Sequence, residues 1–115
     1  MKIKYNNKIL ADKIKYCTNT FSRTKGLRFS KPLKEKQALI LVAEKESITE
    51  TMIDMLFVFF PIDVLWLDKN KRVVDMRRSV KPFTFLIMPK RPAKYVVELK
   101  EGMANNINLG DELKF

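Results

Sequence analysis

The chain has 115 residues, 46% hydrophobic and 31% charged, which suits one globular domain over residues 1–115 and excludes a disordered chain or two independent cores. Histidine is absent and Cys17 is the single cysteine, so an intramolecular disulfide or a Cys/His zinc site cannot be built and the commonest general base is missing. The net charge of +10 can attract nucleic acid, anionic lipid or acidic protein, or simply keep a domain in solution.

No stretch reaches the roughly 18 to 20 apolar residues that span a bilayer. The longest apolar run, Met55 to Leu67, is interrupted by Pro61 and Asp63. Met1 to Lys8 has no apolar core followed by a cleavage site, so no signal peptide, membrane association or export is expected, and a cytoplasmic location follows by default.

In chain order, Met1–Tyr5 and Lys8–Tyr16 alternate apolar and polar residues around Asn6-Asn7, which predicts a hairpin with a tight left-handed turn. Thr18 or Thr20 can cap a short helix over Phe21–Leu27 that ends near Gly26, with Phe21, Leu27 and Phe29 holding it to the core. Ala38–Ala43 is a continuous apolar run of the length of a strand buried on both faces. Glu44–Thr51 reads as a loop. Met52–Phe60 is apolar and rich in Phe but too short for a helix, and Pro61 breaks it at an edge, bulge or bend. Asp63–Leu67 and Arg72–Met76 flank Asp68-Lys69-Asn70-Lys71, the clearest hairpin of the chain. Pro82, Pro89 and Pro92 mark an irregular stretch whose Phe83, Phe85, Leu86, Ile87 and Met88 call for burial. Tyr95–Leu99 is a further strand, Glu101–Asn106 a helical turn, and Glu112–Phe115 a closing strand. Seven or more short strands predict an all-β domain, a compact sandwich or barrel with one or two short helical segments.

Three separated groups of residues resemble one known family. Arg23, Gly26-Leu27 and Leu33 are similar to its N-terminal R-x-x-G-L motif. Met55, Pro61-Ile62-Asp63 and Leu67-Asp68 are similar to its central aromatic-Met and P-L-D segment. Glu98-Leu99, Gly102 and Gly110-Asp111 are similar to its C-terminal L-E-[LV]-x-x-G and G-D motifs. From roughly residue 10 onward the chain therefore resembles the prokaryotic family called domain of unknown function 192, as an archaeal-type cytoplasmic member. The resemblance implies a compact β-sandwich-like domain and no established activity. Arg28 stands where the family often has Met, and apolar residues near Leu56-Phe57 replace a polar Lys-Asn pair common in bacterial members.

Asp63 is the most informative single residue. It lies among Ile62, Val64, Leu65 and Trp66, so its carboxylate is expected out of solvent and in need of a partner, with Arg23 or Arg28 as candidates. It reads either as an anchor in a cleft or as a structural hub. With Arg23, Arg28 and Met55 it makes up the candidate ligand or structural site. A second cluster, Arg72, Arg77, Arg78, Lys90, Arg91 and Lys94, interleaves with Phe83, Phe85 and Tyr95. It reads as a basic patch for nucleic acid, or as a solvated face with the aromatics in the core. Gly26, Gly102 and Gly110 belong to no phosphate-cradling motif. The carboxylates Asp54, Asp63, Asp68, Asp75 and Asp111 have no metal-loop or paired-acid spacing. Cys17 reads as a core thiol. No catalytic residue, cofactor site or metal site is assigned.

These features predict a non-catalytic binding or accessory domain for a small ligand or a protein partner. The alternative is a nucleic-acid-binding domain that uses its basic clusters. An enzyme ranks third, and a polar, carboxylate-containing pocket would raise it.

Overall fold

A computed structural model describes residues 1–115. Its first turn is made by two asparagines: Asn6 and Asn7 sit at φ 50° and 63°, the left-handed pair a two-residue hairpin requires. They join β1 (Ile3–Tyr5) to β2 (Lys8–Cys17), as the alternation predicts. A short helix α1 (Thr20–Lys25) follows. Its cap is Asn19, not Thr18 or Thr20: the Asn19 side chain accepts from the Ser22 amide at 2.7 Å, and the Ser22 hydroxyl returns to the Asn19 backbone. Gly26 ends the helix at φ 46°, ψ −123°, a conformation open to glycine and strained for other residues.

The next strand, β3 (Lys36–Ser47), is longer than its apolar centre, so half of the predicted Glu44–Thr51 loop is strand. A 3-10 turn at Thr49–Thr51 follows. The hairpin of β4 (Ile62–Leu67) and β5 (Val73–Val80) forms as expected, and β6 (Ala93–Lys100) lies between β3 and β4. Six strands, not seven or more, make one mixed sheet in the order β1-β2-β3-β6-β4-β5, curled into a half-barrel. The β2–β3 pair is parallel and all other pairs are antiparallel. The segments Met52–Phe60 and Glu112–Phe115 contribute only isolated bridges, Ile53 to Ile87, Arg72 to Glu112 and Lys4 to Lys114.

Both faces of the sheet are covered, which is why all six residues of β4 are buried. On one face Ile62, Val64 and Trp66 pack with Leu39, Leu41, Val96 and Cys17, under α1 and the 48–60 segment. On the other, Leu65 and Leu67 pack with Ile40, Val97 and Leu99, under β1 and the C-terminal Ala104, Ile107 and Leu113. The covering segments are pinned by specific bonds. The Trp66 indole donates to the Thr51 carbonyl at 2.8 Å, and Ile53 and Ile87 exchange backbone bonds at 2.8 and 2.7 Å.

The large apolar residues outside the strands do not follow the expectation. Leu27 and Ile87 are buried, but Phe21, Phe29, Phe83, Phe85, Leu86 and Met88 are exposed. Leucine 27 and Ile87 already fill the space above the sheet, and the loops leave the phenylalanines on their outer side.

Candidate functional site

Rows of side chains cross the curled sheet. One row on the α1 face reads Leu39, Glu98, Val64, from the register of β3, β6 and β4. Glu98 thus sits at the centre of the sheet with apolar neighbours on both sides. It is only 5% exposed and no donor in the chain hydrogen-bonds its carboxyl, which opens instead onto a cavity of about 260 Å³. Leu41 and Glu98 form the cavity floor, α1 and Gly26–Arg28 one wall, and Glu50–Met55 with Val58 the other.

Of the other charges lining the cavity, Lys25 makes no ion pair, and the two arginines are engaged. Arg28 Nη2 meets both oxygens of Asp54 at 2.7 and 2.6 Å, and the pair is about a quarter exposed. Arg23 Nη1 donates to the Val42 carbonyl at 2.8 Å and stands 3.9 Å from Glu50. Burial, and secondarily the Asp54 carboxylate, push Glu98 up to about 7, so it exchanges its proton near neutral pH. Cys17 is on the same face and fully buried, and burial pushes its thiol up, away from a reactive thiolate.

Asp63 lies on the opposite face. It is fully buried, and its oxygens accept from the backbone amides of Ser79, Gly102 and Ala104, each at 3.0 Å. Its partners are therefore amides, not Arg23 or Arg28, both of which line the cavity across the sheet. Gly102, at φ 94°, allows the chain to turn two of those amides onto one oxygen. The structure thus separates the four residues grouped from the sequence: Arg23, Arg28 and Met55 surround the cavity, and Asp63 ties β4 to β5 and the C-terminal turns.

The six residues of the basic cluster are dispersed in role. Arg78 donates to Ile107 O at 2.7 Å, Arg72 to Gly110 O at 3.4 Å and Lys94 to Ala43 O at 2.6 Å. Arg77, Lys90 and Arg91 are exposed. Glu98 carries the same sequence signal as Asp63, a carboxylate inside an otherwise apolar strand, and is the site residue missing from the group read from the sequence.

Fold and cavity together define a small half-barrel domain with a polar cleft on one face of its sheet. The chain belongs to the DUF192 family ("Uncharacterized ACR"), whose model matches residues 1–115. A UPF0127 protein of Pyrococcus furiosus is 38% identical over 89% of this chain and 85% of its own length. Another from Pyrococcus horikoshii is 33% identical over 89% and 86%. A protein of unknown function from Novosphingobium aromaticivorans, known from its crystal structure, superposes with a TM-score of 0.88 at 17% identity, over 99% of this chain and 82% of that one. A candidate transcription regulator from Sinorhizobium meliloti superposes at 0.82 with 18% identity, over 88% and 79%. At these identities the two structures establish the shared fold alone. No helix is long and apolar enough to cross a membrane.

Proposed function

We propose that this chain is a binding domain whose cleft takes a small ligand through a protonated amine seated on Glu98. The observation that carries this reading is a central, nine-tenths buried carboxyl with no donor in its own chain. Its oxygens reach the cavity, so the donors that the fold does not provide must come from whatever occupies that space. Arg23 and Arg28 are held by Val42, Glu50 and Asp54, which leaves Glu98 and Lys25 as the cavity groups without a partner. A ligand ammonium would supply the missing donors, and Lys25 at the cavity wall could meet an acceptor on the same molecule. The volume lies just below the usual range for ligand pockets, which limits the occupant to a small metabolite.

Thermal-shift and calorimetric titrations with a panel of small amines, amino acids and carboxylates at pH 6 and pH 8 test this. An amine should bind, more tightly at pH 8, because binding must displace the Glu98 proton. Glu98→Gln should abolish binding while the domain stays folded. Binding confined to carboxylates, or unaffected by Glu98→Gln, would overturn the reading.

A second reading rests on the same acid: a carboxyl that titrates near 7 in a polar cleft is also what general acid–base catalysis uses. Turnover of a bound amine, lost in Glu98→Gln with binding retained, would favour it.

A further inference from the structure

The loops beside the cleft hold an aromatic surface that folding does not bury. Phe29 stacks on Phe57 with ring centroids 4.8 Å apart, Phe57 meets Phe83 edge-on at 6.0 Å, and Phe83 meets Phe59 at 5.1 Å. Phe29 is 73% exposed, Phe59 62%, and Phe85 in the same loop as Phe83 72%. Three of these rings ride on left-handed backbone: Phe29 at φ 57°, Phe57 at 59° and Phe83 at 61°. That conformation is costly for a bulky residue, because its Cβ crowds the following carbonyl. Backbone bonds from Phe29 to Phe57 and from Phe83 to Met55, both 2.9 Å, hold the three loops in register. The chain therefore spends strain to present phenylalanine outward, and backbone strain of this kind concentrates at functional surfaces.

Two of the flanking segments are rich in cations, with Asp54 paired to Arg28 between them. From Lys13 to Lys34 there are seven Lys and Arg and no carboxylate, and from Arg77 to Val97 there are six and again none. Immediately after Phe29, the Ser30–Lys34 segment borders an open cavity of about 540 Å³ walled by Lys13, Lys15, Lys31 and Lys34, with Leu27, Leu33 and Leu39 also lining it. The rings themselves line none of the three main cavities. An exposed patch that lines no groove does not suit a peptide lodged by its side chains. Leu86 and Met88, both half-exposed beside the rings, offer no face for base stacking but suit an acyl environment. A second copy would bring another +10 against the first.

We infer that the Phe29–Phe57–Phe59–Phe83–Phe85 loops and the adjoining lysines seat this protein on an anionic lipid bilayer, with rings in the headgroup–acyl boundary and lysines on the phosphates. Apolar tips combined with a basic shelf are the chemistry of peripheral membrane binding. It would be a surface contact with no spanning segment.

Co-sedimentation of the full chain with vesicles of phosphatidylcholine, and of phosphatidylcholine mixed with phosphatidylglycerol, tests the inference. Binding should be at least about tenfold stronger on the anionic vesicles and fall with salt. Phe85→Ser and the pair Lys31→Glu, Lys34→Glu should each weaken it, with the far-ultraviolet spectrum unchanged because these side chains lie outside the core. Phe85→Trp should give a blue-shifted emission that lipid-borne bromine quenches. The inference is overturned if anionic vesicles leave the protein in the supernatant. It is equally overturned if the variants bind as the parent does, or if a labelled single-stranded oligonucleotide binds where vesicles do not.

Discussion

Three carboxylates are buried in the sheet, Asp63, Asp75 and Glu98, and the two on its central strands are treated in opposite ways. On the C-terminal face Asp63 receives three backbone amides and faces closed packing. On the α1 face Glu98 receives none and faces a cavity. Both stand on adjacent central strands, β4 and β6, among apolar neighbours. The acids are in near-identical settings within the sheet, so the covering segments make the difference. A tight series of turns, 101–106, aims its amides at Asp63. The helix and loop across the sheet leave space above Glu98 and spend their donors elsewhere. A buried charge that is fully satisfied reads as scaffold, and one left open reads as a site.

Substitution at Asp63 should give the largest effect. Asp63→Ala leaves the Ser79, Gly102 and Ala104 amides without an acceptor in the interior, and about 3–5 kcal/mol of unfolding free energy should be lost. Equilibrium denaturation measures this, and an unchanged midpoint would remove Asp63 from the role of hub.

At Glu98 the sign should reverse. Its folded pKa is raised to about 7, so between the ordinary carboxylate value and that point the folded chain keeps a proton the unfolded chain has lost. This group's contribution to stability is therefore present at low pH, falls as pH rises through that window, and levels off above it, by about 3 kcal/mol in all. Glu98→Gln should flatten that part of the pH profile and make the ligand-free domain the more stable one at pH 8. Denaturation of both proteins from pH 4 to pH 9 checks it; parallel profiles would show that Glu98 does not titrate in this window.

Arg28→Ala should be milder. The ion pair with Asp54 is about a quarter exposed, so its loss costs about 0.5–1 kcal/mol. Freeing Asp54 should also push Glu98 further up, which carboxyl chemical shifts of the two proteins would reveal. Weakest of all should be Phe29→Gly. Relief of left-handed strain offsets the lost stacking on Phe57, leaving stability within about 0.5 kcal/mol of the parent. A loss comparable to a core phenylalanine would mean the patch is structural.

Local chemistry was legible in the sequence. Asn6-Asn7, the Asp68–Lys71 turn and the alternation around them set two hairpins, because turn conformation and period-two burial act between near neighbours. Family membership and the β class were legible too, in the spacing of Arg23, Gly26, Pro61, Asp63, Glu98 and Gly110. That Asp63 and Glu98 needed burial could be argued from the apolar residues beside each. What satisfies each one could not, since Gly102 and Ala104 are about forty residues from Asp63 and the cavity over Glu98 is made by α1 and the 50–58 segment. The same limit explains the phenylalanines. Hydropathy says that Phe29, Phe83 and Phe85 would gain by burial, and only the tertiary structure decides that Leu27 and Ile87 occupy the room beneath them. Volume over a sheet is shared by every segment that crosses it, and no window of the chain records which residue takes it.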